Sequence, residues 1–247
     1  DTYGSRQIPL TLWSPNHLTQ AIETKNLGYG LQIGLLVAIG LFSLFIALAT
    51  RSYSYSYYTG YVLGLALLIT TIHGVAFRYL WPNMPMLQQV ISPILIPIIM
   101  GFSLMFTEKV LLLKYNNIAM LRLCRTLAAA SFGLSFVLPF VNYNITIYIL
   151  FITVTMVCVM LAVFSLTQMW AGRPYARLYG LGRIALLLSC ILTCMLYLGM
   201  LNLNMEIQTP LMLGLTIEVI TMAAVLAIRY NDERKSKIKI QQQALEQ

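Results

Sequence analysis

The chain has 247 residues, 59% of them hydrophobic and only 10% charged, with a formal net charge of +8. A soluble domain carries roughly 25% charged residues, so this composition excludes an ordinary soluble enzyme and points to a membrane. The cations fall between apolar runs rather than on one basic face, so the positive balance reads as a topology signal, not as nucleic-acid binding.

Residues 1–25 are polar and mixed, without a signal-peptide pattern. The stretch from Ile8 to Trp13 is strand-like, and Ser14-Pro15-Asn16 follows it as a stop. Residues 1–25 are therefore expected to be the end of an upstream β-domain plus a linker, with His17 as a solvated linker residue. The chain begins at Asp1 rather than Met and ends on a helical phrase, as expected of a fragment or a processed chain.

Seven apolar runs follow, at about Leu27–Thr50, Tyr57–Phe77, Leu87–Leu113, Leu121–Val141, Ile145–Trp170, Ala176–Leu201 and Pro210–Tyr230. A span needs about 20 mostly apolar residues, and each run meets that length within tolerance. Short connections carry the breakers: Pro82 and Pro85, Asn142 and Asn144, Gly172 and Pro174, Asn202 and Asn204. Such connections make consecutive helices antiparallel neighbours. The runs are too long and too uniformly apolar for barrel strands. The expected fold is an all-α membrane protein, a seven-transmembrane helix bundle over residues 26–230. Pro93 and Pro97 are the one strong break expected inside a span.

Lys and Arg set the orientation. One side collects Arg51, Lys109, Lys114, Arg122, Arg125, Arg173, Arg177, Arg183, Arg229, Arg234, Lys235, Lys237 and Lys239, thirteen in all; the other has Arg6, Lys25 and Arg78. The richer side is expected to be cytoplasmic. That puts the N-terminus outside and the C-terminus in the cytosol. Tyr53, Tyr55, Tyr57, Tyr58 and Tyr61 read as an aromatic belt at the inner end of the second helix, with Tyr79 and Trp81 at its outer end. Gly30 with Gly34, and Gly60 with Gly64, are expected to let the first two helices approach closely.

The polar residues inside the runs are the candidates for chemistry. Glu218 lies deep in the seventh run, where a carboxylate costs about 2.5–3.5 kcal/mol and needs an interior partner. It reads either as a buried switch point that sets the angle of the last helix or as a structural hydrogen-bonding group. His73 reads either as a helix–helix hydrogen-bonding residue or as a pH-sensing group. It has only His17 as a fellow histidine, so no haem pair is expected. Asn202, Asn204 and Glu206 make a polar outer loop, positioned with Arg78 either to touch an upstream domain or simply to be solvated. Cys124, Cys158, Cys190 and Cys194 lack metal-ligand spacing with His and read as packing residues. No metal and no cofactor is expected. Retinal chemistry is set aside because no Lys occurs in Pro210–Tyr230. Paired carboxylates and Ser–His pairings are likewise absent from the runs, so no catalytic residue is assigned.

Neither Gly nor Pro occurs after Gly214. One helix is therefore expected to run from the last span into the polar tail, residues 231–247. Ile238 and Leu245, seven apart, begin a faint heptad there, either as the start of a dimeric coiled coil or as a solvated linker helix. The basic residues beside the bilayer also suit anionic lipid headgroups.

The stretch from Arg51 to Pro82 carries a resemblance. It has a short basic-aromatic loop from Arg51 to Tyr58, a Tyr-rich start to the second run, Gly74, and then Tyr79-Leu80-Trp81-Pro82. In these features it resembles the bacterial seven-transmembrane receptors with diverse intracellular signalling modules. The phrase Ile8 to Pro15 is similar to the end of the β-sandwich sensor domain that precedes the bundle in many members. Leu213-Gly214, Glu218 and the exit residue Arg229 fit the family's last helix. His73 stands where members usually carry a small polar residue, and Ala227-Ile228-Arg229 lacks the Asp of the usual Ala-Asp-Arg exit. The resemblance implies a multi-pass receptor of the bacterial inner membrane, signalling as a homodimer. In it a periplasmic domain senses a ligand, and the bundle relays the signal through the seventh helix to a cytoplasmic output module. That module would be of the diguanylate cyclase, histidine kinase or phosphatase type, and enzymatic activity would reside there, not in this chain. The alternative from a different class is a transporter or channel for a small solute, which would usually show broken helices and polar midplane residues.

Overall fold

A computed structural model describes residues 14–172, 175–197, 200 and 209–245. The strand-like Ile8–Trp13, Arg173 and the loop carrying Asn202, Asn204 and Glu206 lie outside the described residues. The described residues form helices α1 (Pro15–Thr50), α2 (Tyr53–Ile72), α3 (Val75–Tyr79), α4 (Pro85–Val110), α5 (Leu113–Asn116), α6 (Ile118–Val137), α7 (Tyr143–Trp170), α8 (Ala176–Tyr197) and α9 (Thr209–Leu245), with a 3-10 turn at Leu138–Phe140. Among these residues, six helices are long and apolar enough to cross a membrane: α1, α4, α6 (with the 3-10 turn), α7, α8 and α9. Phe42, Phe45, Phe136 and Phe151 point outward from the bundle. In water such faces would be association sites; in a bilayer they face lipid.

Local chemistry explains most helix boundaries. Apolar residues begin in earnest at Leu27, but α1 begins at Pro15, with Ser14 extended at its N-cap. Proline suits the first helical turn because its missing N–H would be unpaired there anyway, so Ser14-Pro15-Asn16 starts a helix rather than stopping the chain. The second apolar run splits at His73-Gly74. Gly74 takes a left-handed φ of 72°, which glycine adopts without steric cost. Asn117 caps α6, its side chain accepting from the amides of Ala119 and Met120. Pro93 and Pro97, expected to break their span, lie inside an unbroken α4. Membrane helices tolerate interior proline where neighbouring helices pack around the freed carbonyls, and α4 is packed against α2, α6 and α7.

The helices close into one bundle: α1 packs on α2, α2 on α4, α4 on α6 and α7, α7 on α8, and α8 on α9, while α9 returns to touch α1 and α2. Gln32 of α1 lies beside Met212 and Thr216 of α9, and Ile39 to Ile46 lie beside Ala223 to Ala227. Numbers rise together, so α1 and α9 run parallel. Against α2 they fall, Tyr55 meeting Leu226 and Tyr61 meeting Glu218, so α2 and α9 are antiparallel.

The glycines work differently from the expected pairing of α1 with α2. Gly30 and Gly34 face open space. Gly60 and Gly64 instead seat α4: a Cβ there would meet the Phe102 ring at 2.9 Å and Ile99 Cγ1 at 2.8 Å. The close approach of α1 to α2 is made by Gly40 against the Leu63 side chain. Overpacking such a contact costs about 1–3 kcal/mol. Gly60→Val is therefore expected to lower the thermal midpoint of the detergent-purified protein by several degrees, and Gly34→Ala to leave it unchanged or higher.

Candidate functional site: a buried polar network around the last helix

The deepest polar residue of α9 is Glu218, and it is fully buried. Its Oε1 lies 2.5 Å from Arg183 Nη1 of α8, and its Oε2 accepts from the Tyr61 hydroxyl of α2 at 2.6 Å. Arg183 is almost as buried as Glu218. Its Nε donates to Tyr179 Oη at 2.9 Å, and its Nη2 donates to Ser103 Oγ of α4 at 2.7 Å. Tyr179 Oη is 2.6 Å from Thr107 Oγ1, which itself donates to the Ser103 carbonyl. Four helices thus contribute to one ion pair.

Each participant sits where helical spacing puts it. Tyr179 and Arg183 are four apart on α8, as are Ser103 and Thr107 on α4, and residues four apart share a helix face. At 1.5 Å per residue, Arg183 lies about 10 Å along α8 from Ala176, and Tyr61 about 12 Å along α2 from Tyr53. Glu218 lies about 16 Å from the exit residue Arg229. The partners therefore meet at one depth. A charge in hydrocarbon must be paired internally, and this arrangement supplies the pairing.

The same helix is held at further levels by its backbone. Gln32 Nε2 donates to the Met212 carbonyl at 2.9 Å and contacts Thr216 Oγ1 at 3.2 Å. Tyr58 donates to the Val219 carbonyl at 2.6 Å, and Tyr55 to the Leu226 carbonyl at 3.1 Å. These three carbonyls are seven residues apart. Seven residues fall about 20° short of two full turns, so the acceptors form one stripe facing α1 and α2. Tyr55, Tyr58 and Tyr61 are thus buried and turned into the bundle, a correction to the expected interfacial belt. Tyr53 remains exposed.

Where α9 leaves the bundle, Arg229 Nη1 donates to the Lys109 carbonyl at 2.5 Å, and its Nε donates to Glu233 at 2.9 Å. Lys109 is in the last turn of α4, where carbonyls lack helical partners, so Arg229 caps one helix with another. Nearby, Arg125 of α6 holds Glu108 of α4 through two bonds of 2.9 and 2.7 Å. Tyr175 donates to Asp232 at 3.0 Å. Burial and that carboxylate push the Tyr175 phenol above its ordinary range, so it remains a donor at neutral pH.

The motif residues divide between the two ends of the bundle: Arg51 lies at the end where α9 exits, beside the Thr50–Tyr55 turn that faces Arg229, and Gly74 with Tyr79 to Pro82 lies at the other. Arg51 takes a left-handed φ of 49° as it closes α1. His73 closes α2 and stacks on Tyr29 of α1, ring centroids 4.0 Å apart. Trp81 donates to Gln88 Oε1 at 3.0 Å, and Gln88 donates onward to the Thr71 carbonyl at 2.9 Å. Trp81 and Pro82 thus lock the turn from α3 into α4 against the end of α2, while Tyr79 and Leu80 are exposed. Ile238 is exposed on the tail; the Leu245 side chain lies outside the described residues. The four cysteines are free thiols.

The family model described as 7TM diverse intracellular signalling matches residues 25–229. This chain belongs to that family. It is a transmembrane signalling receptor domain and, as such, is not itself catalytic. No curated protein and no solved structure matches it significantly.

Arg183 is the residue that sequence reasoning misplaced. Counted there with the loop cations, it is instead the buried partner of Glu218. Its position seven residues inside the sixth apolar run was the available signal, because a cation that deep needs an anion and Glu218 is the one carboxylate within the last run. Removing one member of a buried pair costs about 3–5 kcal/mol, whereas an apolar replacement of both is near neutral. Arg183→Met should therefore lower the unfolding midpoint in mild detergent strongly, and adding Glu218→Leu should restore most of it. Equal loss in the single and double variants would remove the pair as the cause.

Proposed function

We propose that this domain relays a signal across a bacterial inner membrane by moving α9 as one rigid element. The observation that carries this reading is the continuity of α9. It is a single 37-residue helix, about 55 Å long, gripped by side chains through its buried half and exposed at Tyr230 and Ile238 beyond Arg229. In this reading α2 also crosses the membrane, which raises the six spans to seven. Its length of 20 residues and the parallel course of α1 and α9, which requires an odd number of crossings, support that count. The N-terminus lies outside and the tail in the cytosol, supported by the charge asymmetry. With Arg183 removed as a buried residue, twelve cations remain against three, still a strong positive-inside bias.

Glu218 then acts as the polar switch point. Its bonds to Arg183 and Tyr61 hold α9 in one rotational setting, and a second setting would exchange them. An upstream periplasmic domain supplies the signal, and a downstream module of the diguanylate cyclase or histidine kinase type reads it. The tail pairs with that of a second copy through Ile238 and Leu245. His73, stacked between α1 and α2, adjusts the joint nearest the upstream domain.

Each residue inserted into a helix rotates the downstream part of that helix by about 100°. In the full-length receptor, inserting one or two alanines between Asn231 and Asp232 should lock or abolish the output response, and inserting seven should restore it. A response indifferent to insertion length would overturn the rigid relay. Glu218→Gln should shift basal output while the receptor still reaches the membrane, measured as output per receptor in membrane fractions.

A further inference from the structure

A cavity of about 480 Å³ lies between α7 and α8, walled by Phe151, Val154, Cys158, Leu187, Cys190 and Cys194 among others, with Arg183 in its wall. Phe151, Val159 and Ile191 at its rim point outward, so its access is lateral, from the bilayer. Ligand pockets are typically about 300–1,000 Å³ and mostly apolar, with a few placed polar groups. Here the strongest polar group is one guanidinium. A guanidinium has five N–H bonds. Nε and Nη2 of Arg183 donate to Tyr179 and Ser103, and Nη1 stands in ion-pair contact with Glu218 Oε1, which has no hydrogen-bond partner among the described residues. At least two of the five N–H bonds therefore have no acceptor among the described residues.

We propose that this cavity binds an uncharged, membrane-dissolved ring compound bearing a carbonyl oxygen, which accepts from Arg183. Charge selects the class. Arg183 and Glu218 already balance, so an added carboxylate would leave a net buried negative charge, which is costly in hydrocarbon. A neutral carbonyl satisfies the leftover donors without that cost. The lining selects the body. Three cysteine sulfurs, the Met195 thioether and the Phe151 ring form a polarizable wall, and sulfur packs favourably against aromatic edges. Occupancy places the ligand directly against the ion pair that holds α9. An effect of the ligand on signalling rests on the relay proposed above, whereas binding itself does not depend on how α9 moves.

The test is protection of Cys190 and Cys194 from a bilayer-permeant maleimide in the full receptor reconstituted in liposomes, read by peptide mass spectrometry. Decylubiquinone is the probe; decylbenzene, which lacks carbonyls, and decanoate are the comparisons. Decylubiquinone is expected to protect at about tenfold lower concentration than decylbenzene, the value of one buried hydrogen bond, and decanoate to protect no better than decylbenzene. Leu187→Trp, which fills the cavity, is expected to abolish the difference. Equal protection by all three compounds, absence of protection, or undiminished protection in a folded Leu187→Trp protein would each overturn the proposal. Because labelling is read on the cysteines of the bundle and not through the output activity, a failed relay and a failed site give different results.

Discussion

In hydrocarbon no water is present to satisfy a polar group, so each one must find its partner inside the protein. The pairing of Glu218 with Arg183 is the strictest instance of that constraint in this bundle. It fixes α8 against α9. The remaining valences of the two groups then recruit Tyr61 from α2 and Ser103 from α4. Apolar packing alone is non-directional and would let these helices slide or rotate past one another at small cost. The polar partners give the interface a single register, because each bond has a length and an angle to meet.

The grip on α9 combines two kinds of contact with different consequences. Glu218 is held by its side chain, so its bonds depend on the rotational setting of the helix. Met212, Val219 and Leu226 are held by their carbonyls. A helix presents carbonyls on every face, so a rotated or shifted α9 would still offer acceptors to Tyr55, Tyr58 and Gln32. A stripe of backbone acceptors beside one stringent side-chain pair suits an element with more than one setting: under the proposed relay, the tyrosines would keep α9 docked and the ion pair would choose the angle. Arg229 adds an anchor at the exit by capping α4, so the direction in which the tail departs is tied to the helix at the centre of the bundle.

Much of this was legible in the sequence, and the omissions share one cause. Helix positions followed from apolar run length, and the continuity of α9 from the lack of Gly and Pro after Gly214. The burial of Glu218 followed from its depth. The Trp81-Pro82 turn was visible as a motif, though its lock through Gln88 was not. By contrast, the tyrosines of α2 were visible only as aromatics near a helix end, and such residues suit a headgroup belt as well as an interhelical bond. Gly60 and Gly64 announced a close contact without naming the partner helix. Arg183 was read by its nearness in sequence to Arg173 and Arg177, although its position along α8 decides its burial.

The sequence by itself determined that this is a helical membrane domain, where its spans begin and end to within a turn or a few, and that the last span continues into a polar helix. These properties depend on hydrophobic length and on local backbone preferences, which a linear chain states directly. The tertiary structure alone decided which faces meet: Arg183 with Glu218, Tyr58 with the Val219 carbonyl, Gly60 with Phe102. In a chain apolar on nearly every helix face, periodicity does not distinguish the side that meets protein from the side that meets lipid. That choice is made only when polar groups on separate helices, 157 residues apart for Tyr61 and Glu218, satisfy one another.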